Sequence, residues 1–302
     1  MAEIKNTTKT YPLNVPNLSI PAIGLGTWLS PCSSITADVV AHALRAGYRH
    51  IDTAFGYGNE RAVGEGIRLS GVPREQVWVT TKLDNTWHKR VAEALDLSLE
   101  ALGLDYVDLY LIHWPSSTVP DSGGKQHYED WDFVDTWREM QKLLGTGKVR
   151  SIGVSNFGVR NLERLLSHES CKVVPAVNQI ELHPANPSPK LVAYCREKGI
   201  HPSAYSPLGS SRGSSLSQHP VLTAIAKEKG RSVQQVLLMW GLQKGWSVLP
   251  KSVTPERIDA NFDLDGWSLT DEEVARIDGI KDRFKVCGDS WLPVKVFFGD
   301  DE

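Results

Sequence analysis

Cysteine is scarce in this chain and never grouped. The four that occur, Cys32, Cys171, Cys195 and Cys287, are scattered, with no CxxC pair and no Cys/His cluster. That spacing suits a reducing compartment and supplies neither a disulfide framework nor a metal site. Excess charge is missing too. A formal net charge of −3 gives no broad electrostatic grip on nucleic acid or on an anionic membrane. No apolar run reaches the roughly eighteen residues of a membrane span. Residues 1–11 are polar and lack the apolar segment of a secretory signal, and Asp300-Asp301-Glu302 carries no lipidation or retention signal. A cytoplasmic protein with no nucleic-acid, membrane or metal partner is the expectation. The glycine-rich turn of a Rossmann domain is also absent. The nearest match, Gly64-Glu65-Gly66-Ile67-Arg68-Leu69, lacks the third glycine and lies inside a helical pattern. No P-loop occurs either.

What is present is alternation. Apolar residues form 41% of the 302, enough for a sizeable core. Strand-like runs at Ala22–Gly26, Tyr48–Asp52, Gln76–Lys82, Tyr106–His113, Ser151–Val154, Ala176–Gln179, Ile200–Tyr205 and Ser247–Pro250 alternate with helical stretches. Helical spacing covers 37–46, 60–69, 89–102, 131–144, 159–166, 190–198, 221–229 and 233–242. Eight such strands with intervening helices predict a (β/α)8 TIM barrel, with a doubly wound open sheet as the alternative. Thr10–Asn14 and Leu18–Ile20 predict a β-hairpin before the first barrel strand. No linker or composition shift divides the chain, so residues 1–302 read as one domain.

Function in such a barrel collects where strands end. The residues there are Asp52, Lys82, His113, Ser155 with Asn156, Gln179, Tyr205 and Lys251. A first cluster is Asp52, Tyr57, Lys82 and His113. A phenol with a pKa of about 10 is a weak acid at neutral pH, and a nearby ammonium would lower that value and ease proton donation. Asp52 would fix Lys82, and His113 would orient a substrate carbonyl. Each also has a plain structural reading: an ion pair, a loop aromatic, a core histidine. A second cluster, Lys251, Ser252 and Arg257 around Thr254-Pro255, predicts either a phosphate-binding helix N-terminus or an ordinary capped surface helix.

In order along the chain, Gly26-Thr27-Trp28, Gly47–Ala54 with Tyr57-Gly58-Asn59-Glu60, Leu111-Ile112-His113-Trp114-Pro115, Gly153–Phe157, Val177-Asn178-Gln179 and Leu249–Ser252 resemble the aldo-keto reductase superfamily. Within it the chain is most similar to fungal glycerol dehydrogenases and reductases of glyceraldehyde and sugar aldehydes. The resemblance implies a barrel that binds NADPH/NADP+, preferred over NADH, and reduces small aldehydes and ketones or oxidises polyols. It implies Tyr57 as general acid, Lys82 and Asp52 as its tuning pair, and His113 as substrate orienter. It assigns the cofactor to Gly26, Thr27, Trp28, Asp52, Ser155, Asn156, Gln179, Tyr205, Ser206, Leu208, Lys251, Ser252, Val253, Arg257 and Asn261. Trp28, Tyr57, Trp87, His113 and Trp114 would shape the substrate pocket, and a monomer is implied.

The chain departs from many relatives in three places. Asp84 stands where a tryptophan is common, Gly56 where a larger apolar residue is common, and Ala260 where a glutamate is common. The first two imply a roomier, more polar pocket. Segments 115–130, 209–218 and the tail from Asp282 are candidate lids. Three rival readings stand beside this one. They are a short-chain dehydrogenase using Tyr194 and Lys198 as YxxxK, a non-catalytic nucleotide sensor, and a Schiff-base aldolase using Lys82.

Overall fold

The computed structural model describes residues 5–299; the targeting expectations at residues 1–4 and 300–302 lie outside that range. A hairpin of β1 (Thr10–Pro12) and β2 (Ser19–Pro21) comes first, paired antiparallel with Tyr11 opposite Ile20. The eight strands that follow are β3 (Leu25–Gly26), β4 (His50–Asp52), β5 (Trp78–Leu83), β6 (Val107–Ile112), β7 (Val149–Ser155), β8 (Val177–Glu181), β9 (His201–Tyr205) and β10 (Ser247–Leu249). Each pairs in parallel with the next. The sheet then closes on itself: Gly24 N donates to Val248 O and Val248 N to Ala22 O, at 2.9 and 2.8 Å. This is the expected TIM barrel, and closure excludes the open-sheet alternative.

The parallel strands are buried along nearly their whole length, as the continuous apolar runs require. Most helices joining them pack one apolar stripe on the barrel's outside, while helix Val233–Gln243 is buried on every face from Gln235 to Leu242. The core includes Leu44, Val63, Leu95, Trp137 and Leu162 from five of these helices. Left-handed glycines at Gly47, Gly71 and Gly103 end the first three helices. The two glycines of the Rossmann-like pattern lie inside helix Glu60–Ser70 and serve packing. A Cβ at Gly64 would fall 1.9 Å from Leu102 O, and one at Gly66 2.5 Å from Ala37 O. The neighbouring helices approach too closely for any side chain there.

A smaller apolar cluster joins Leu18 and Ile20 of the hairpin to Trp78, Leu109, Leu111, Ala176 and Val177. The hairpin thereby covers the barrel's N-terminal end and leaves the opposite rim for chemistry. Helix Asp271–Asp278, absent from the sequence-based reading, is set by a capping box between Thr270 and Glu273. Segment 209–218 folds as a 3-10 turn, Ser210–Arg212, and a short helix, Gly213–Ser217. Among the described residues, no helix is long and apolar enough to cross a membrane, and no group of three His, Cys, Asp or Glu could hold a metal ion.

Candidate active site

Because all eight strands run the same way, their C-terminal residues meet at one rim. A cleft of about 990 Å³ opens there. It is lined by Gly26, Thr27, Trp28, Asp52, Tyr57, His113, Trp114, Ser155, Asn156, Gln179, Tyr205, Ser206, Leu208 and Lys251. Fourteen of the residues expected at the site from sequence are thus brought together, although they span more than two hundred positions.

At the cleft floor, Lys82 and Asp52 form a fully buried ion pair, Nζ to Oδ1 2.7 Å. Gln179 donates Nε2 to the other Asp52 oxygen at 2.6 Å, and Lys82 also donates to Thr53 O at 2.8 Å. Burial pushes the carboxyl up and the ammonium down, while the contact opposes both shifts. With both carboxylate oxygens and two ammonium protons engaged, we read the pair as ionised.

Lys82 donates its remaining bond to the Tyr57 hydroxyl at 3.3 Å. The phenol oxygen accepts from that side, so its own hydrogen is free to point into the cleft. Sequence reasoning expects a lowered phenol pKa. In the structure burial, and then the Asp52 charge, push it well above its ordinary value. The reversal follows first from burial, and then from Asp52, which lies beside the ammonium that would otherwise favour phenolate. Tyr57 is therefore held protonated. The His113 ring meets Tyr57 edge-on at 5.6 Å, and burial, followed by the Lys82 charge, drives its pKa well below 6.5, so the imidazole is neutral.

Around this floor the expected carboxamide holders satisfy one another. Ser155 Oγ donates to Gln179 O at 2.8 Å, Asn156 Nδ2 to His113 O at 3.0 Å, and Tyr205 OH to Asn156 Oδ1 at 2.6 Å. Tying the Tyr205 hydroxyl in this way fixes its ring plane. Asn156 and Ser206, at φ 62° and 49°, take the left-handed conformation just past their strands, a strain often found at working sites.

Ser252, Val253, Arg257 and Asn261 fall outside the cleft lining, on the segment that leaves its open end. Helix Pro255–Phe262 starts there with proline in its first turn, and the Thr254 side chain makes no capping bond. Instead Thr254 N donates to Ser252 Oγ at 3.0 Å. Lys251 is exposed, with Nζ 3.3 Å from Leu29 O, and exposed Arg257 forms no ion pair among the described residues. Two available cations beside an uncapped helix N-terminus fit a phosphorylated nucleotide.

Trp87 is the expected pocket residue that the structure sets back. It packs edge-on against Phe55 at 5.7 Å beneath the Arg90 guanidinium, and Asp84, Asn85 and Thr86 line the cleft in its place. The tail supplies cleft residues that strand-end reasoning misses: Val286, Cys287, Gly288, Ser290 and Trp291. Buried Glu181 anchors that tail by accepting from Val286 N and Cys287 N, both at 2.7 Å, and Trp291 meets Trp114 edge-on at 5.4 Å. The signal was an exposed-looking aromatic, Trp291, in a polar stretch. Tyr194 and Lys198 lie beyond the cleft, on and just after the outer helix Pro189–Glu197, which removes the geometric basis of the YxxxK reading.

The aldo/keto reductase family model matches residues 22–282. The chain belongs to that family. This family member is 43% identical over 98% of its length to the glycerol 2-dehydrogenase (NADP(+)) of Saccharomyces cerevisiae, 99% of which is covered. It is 47% identical to the D-galacturonate reductase of Hypocrea jecorina over 85% of each chain. It also superposes with a TM-score of 0.85 on an aldo-keto reductase from Bombyx mori solved in complex with NADP, at 40% identity, over 94% of this chain and 96% of that one.

Proposed function

We propose that this chain is an NADP(H)-dependent reductase of small aldehydes and ketones, reversibly oxidising the matching alcohols and polyols, with Tyr57 as general acid. The observation that carries the reading is the buried Gln179–Asp52–Lys82–Tyr57 series, which ends in a protonated phenol facing the cleft.

Ser155, Asn156 and Gln179 would hold the nicotinamide carboxamide, and the fixed Tyr205 ring gives the nicotinamide a stacking face. Gly26, Thr27, Trp28, Ser206 and Leu208 would follow the cofactor along the cleft. Lys251, Ser252, Val253 and Arg257 would take the adenosine 2′-phosphate, with Asn261 near the adenine. When bound, NADPH supplies the hydride that reduces the carbonyl carbon. Neutral His113 can donate a hydrogen bond to the carbonyl oxygen and fix its direction. Tyr57 gives its proton to that oxygen as negative charge develops. Lys82, already bonded to the phenol oxygen, then faces the phenolate and stabilises it.

Trp28, Trp114 and Trp291 make an apolar mouth over this polar floor, which suits short carbonyl compounds: glyceraldehyde, dihydroxyacetone, aldoses or uronic acids. The relatives named for NADP and the two cations near the uncapped helix favour NADPH over NADH. The chain works as a cytoplasmic monomer on this reading. The test is NADPH oxidation, followed by absorbance, with DL-glyceraldehyde as substrate and NADH as comparator. Aldehyde-dependent oxidation faster with NADPH supports the proposal. Tight NADPH binding without turnover would instead favour the nucleotide-sensor reading.

A further inference from the structure

Asp84 and Gly56, both in the cleft lining, lie side by side. A Cβ built on Gly56 would fall 2.9 Å from Asp84 Oδ2. The glycine, immediately before Tyr57, leaves that oxygen uncovered. Asp84 Oδ1 is fixed by Thr86, accepting from its backbone N at 3.0 Å and its Oγ1 at 2.8 Å. Among the described residues nothing donates to Oδ2, and no cation pairs with this carboxylate. The next residue, Asn85, is buried at 7% exposure. Both residues line the cleft with Tyr57 and His113. Asp84 Oδ2 is thus an open acceptor on the cleft wall beside Tyr57 and His113, placed to receive a donor from a bound molecule.

We propose that Asp84 forms a hydroxyl-accepting subsite that narrows the substrate range given above, selecting its neutral, hydroxylated carbonyl compounds over uronic acids and other carbonyl compounds bearing a carboxylate. A substrate hydroxyl donates to Asp84 Oδ2, and a substrate carboxylate meets a like charge there. A site built to receive a hydroxyl discriminates against an analogue lacking it, because its own polar groups are then left unpaired. This inference deepens the reductase reading and rests on it.

The experiment compares wild type with Asp84→Asn and Gly56→Ala, using glyceraldehyde, propanal and glyoxylate as substrates with NADPH. The first substitution keeps the acceptor for Thr86 but turns a donor toward the cleft; the second covers Oδ2 with a methyl group. In both variants the ratio of kcat/KM for glyceraldehyde over propanal falls by about tenfold, the scale of one hydrogen bond to a charged group. In Asp84→Asn the ratio for glyoxylate over propanal rises. Ratios that stay at the wild-type value overturn the subsite and leave the reductase reading intact. Wild type inactive toward all three substrates overturns both together.

Discussion

Gln179 donates its side-chain amide to one oxygen of Asp52 while Lys82 holds the other, at 2.6 and 2.7 Å. Two strands on either side of the barrel thus fix a single carboxylate. Exchanging that carboxylate for a neutral amide removes the counterion of a completely buried ammonium. The Asp52→Asn variant loses about 3–5 kcal/mol of stability, the usual penalty for breaking one side of a buried pair. It also loses turnover, because Lys82 no longer stays charged against Tyr57. Chemical denaturation gives the first quantity and steady-state NADPH oxidation the second. An unfolding midpoint like that of wild type would show that the pair is not holding the site.

Acid stability follows from histidines buried in neutral form. Burial lowers His50, His88 and His201 each to about 3, and His113 well below 6.5. These folded values lie below the unfolded one. Their contribution is therefore present above about pH 6.5 and is lost as pH falls toward 3, since the unfolded chain takes up protons that the folded chain refuses. Each adds roughly 1.4 kcal/mol per pH unit to the slope in that window. His88 lies outside the cleft lining, with its Nδ1 2.8 Å from Ser117 Oγ and 3.1 Å from Thr136 Oγ1. His88→Gln lowers stability at pH 7 and flattens the pH 5–7 slope by about one proton's worth. An unchanged slope would contradict neutral burial of this ring.

The barrel was legible from sequence because its buried strands are continuous apolar runs, and polar residues such as Asp52 and Tyr205 close them off. The start of helix Pro255–Phe262 was legible from Thr254-Pro255, although the Thr254 side chain makes no capping bond. The direction of the Tyr57 shift was not legible. It depends on burial first and then on the Asp52 charge, neither of which spacing reveals. Nor could a residue count show that Trp87 turns back onto Phe55, although the resemblance already put Asp84 and Gly56 in the pocket. The tail from Asp282 was expected over the site, but its anchor was not legible: Glu181, about a hundred residues earlier, binds the amides of Val286 and Cys287.

That clamp has its own consequence. Glu181→Ala removes both acceptors for the tail amides, whereas Glu181→Gln keeps one. Limited proteolysis after Phe284 quickens strongly in the alanine variant and modestly in the glutamine variant, and KM for the aldehyde rises in the same order. Equal protease resistance in all three proteins would mean that the tail is held by its apolar contacts alone.

On the proposed reading, Lys251 and Arg257 set the choice of cofactor. Lys251→Ala and Arg257→Ala each raise KM for NADPH by about tenfold or more, the scale of one lost charge-assisted contact to phosphate, and leave KM for NADH nearly unchanged. Fluorescence titration with the two nucleotides checks this. Parallel weakening of both would locate these cations elsewhere than at the 2′-phosphate.

The most direct test of the central claim is Tyr57→Phe, assayed for NADPH-dependent glyceraldehyde reduction beside an NADPH-binding titration. The phenol oxygen is all that changes. Turnover falls by at least about a hundredfold, the low end for general acid catalysis, while NADPH affinity stays near wild type. A Tyr57→Phe enzyme that still reduces the aldehyde at a rate close to wild type would contradict the assignment of Tyr57 as the proton donor.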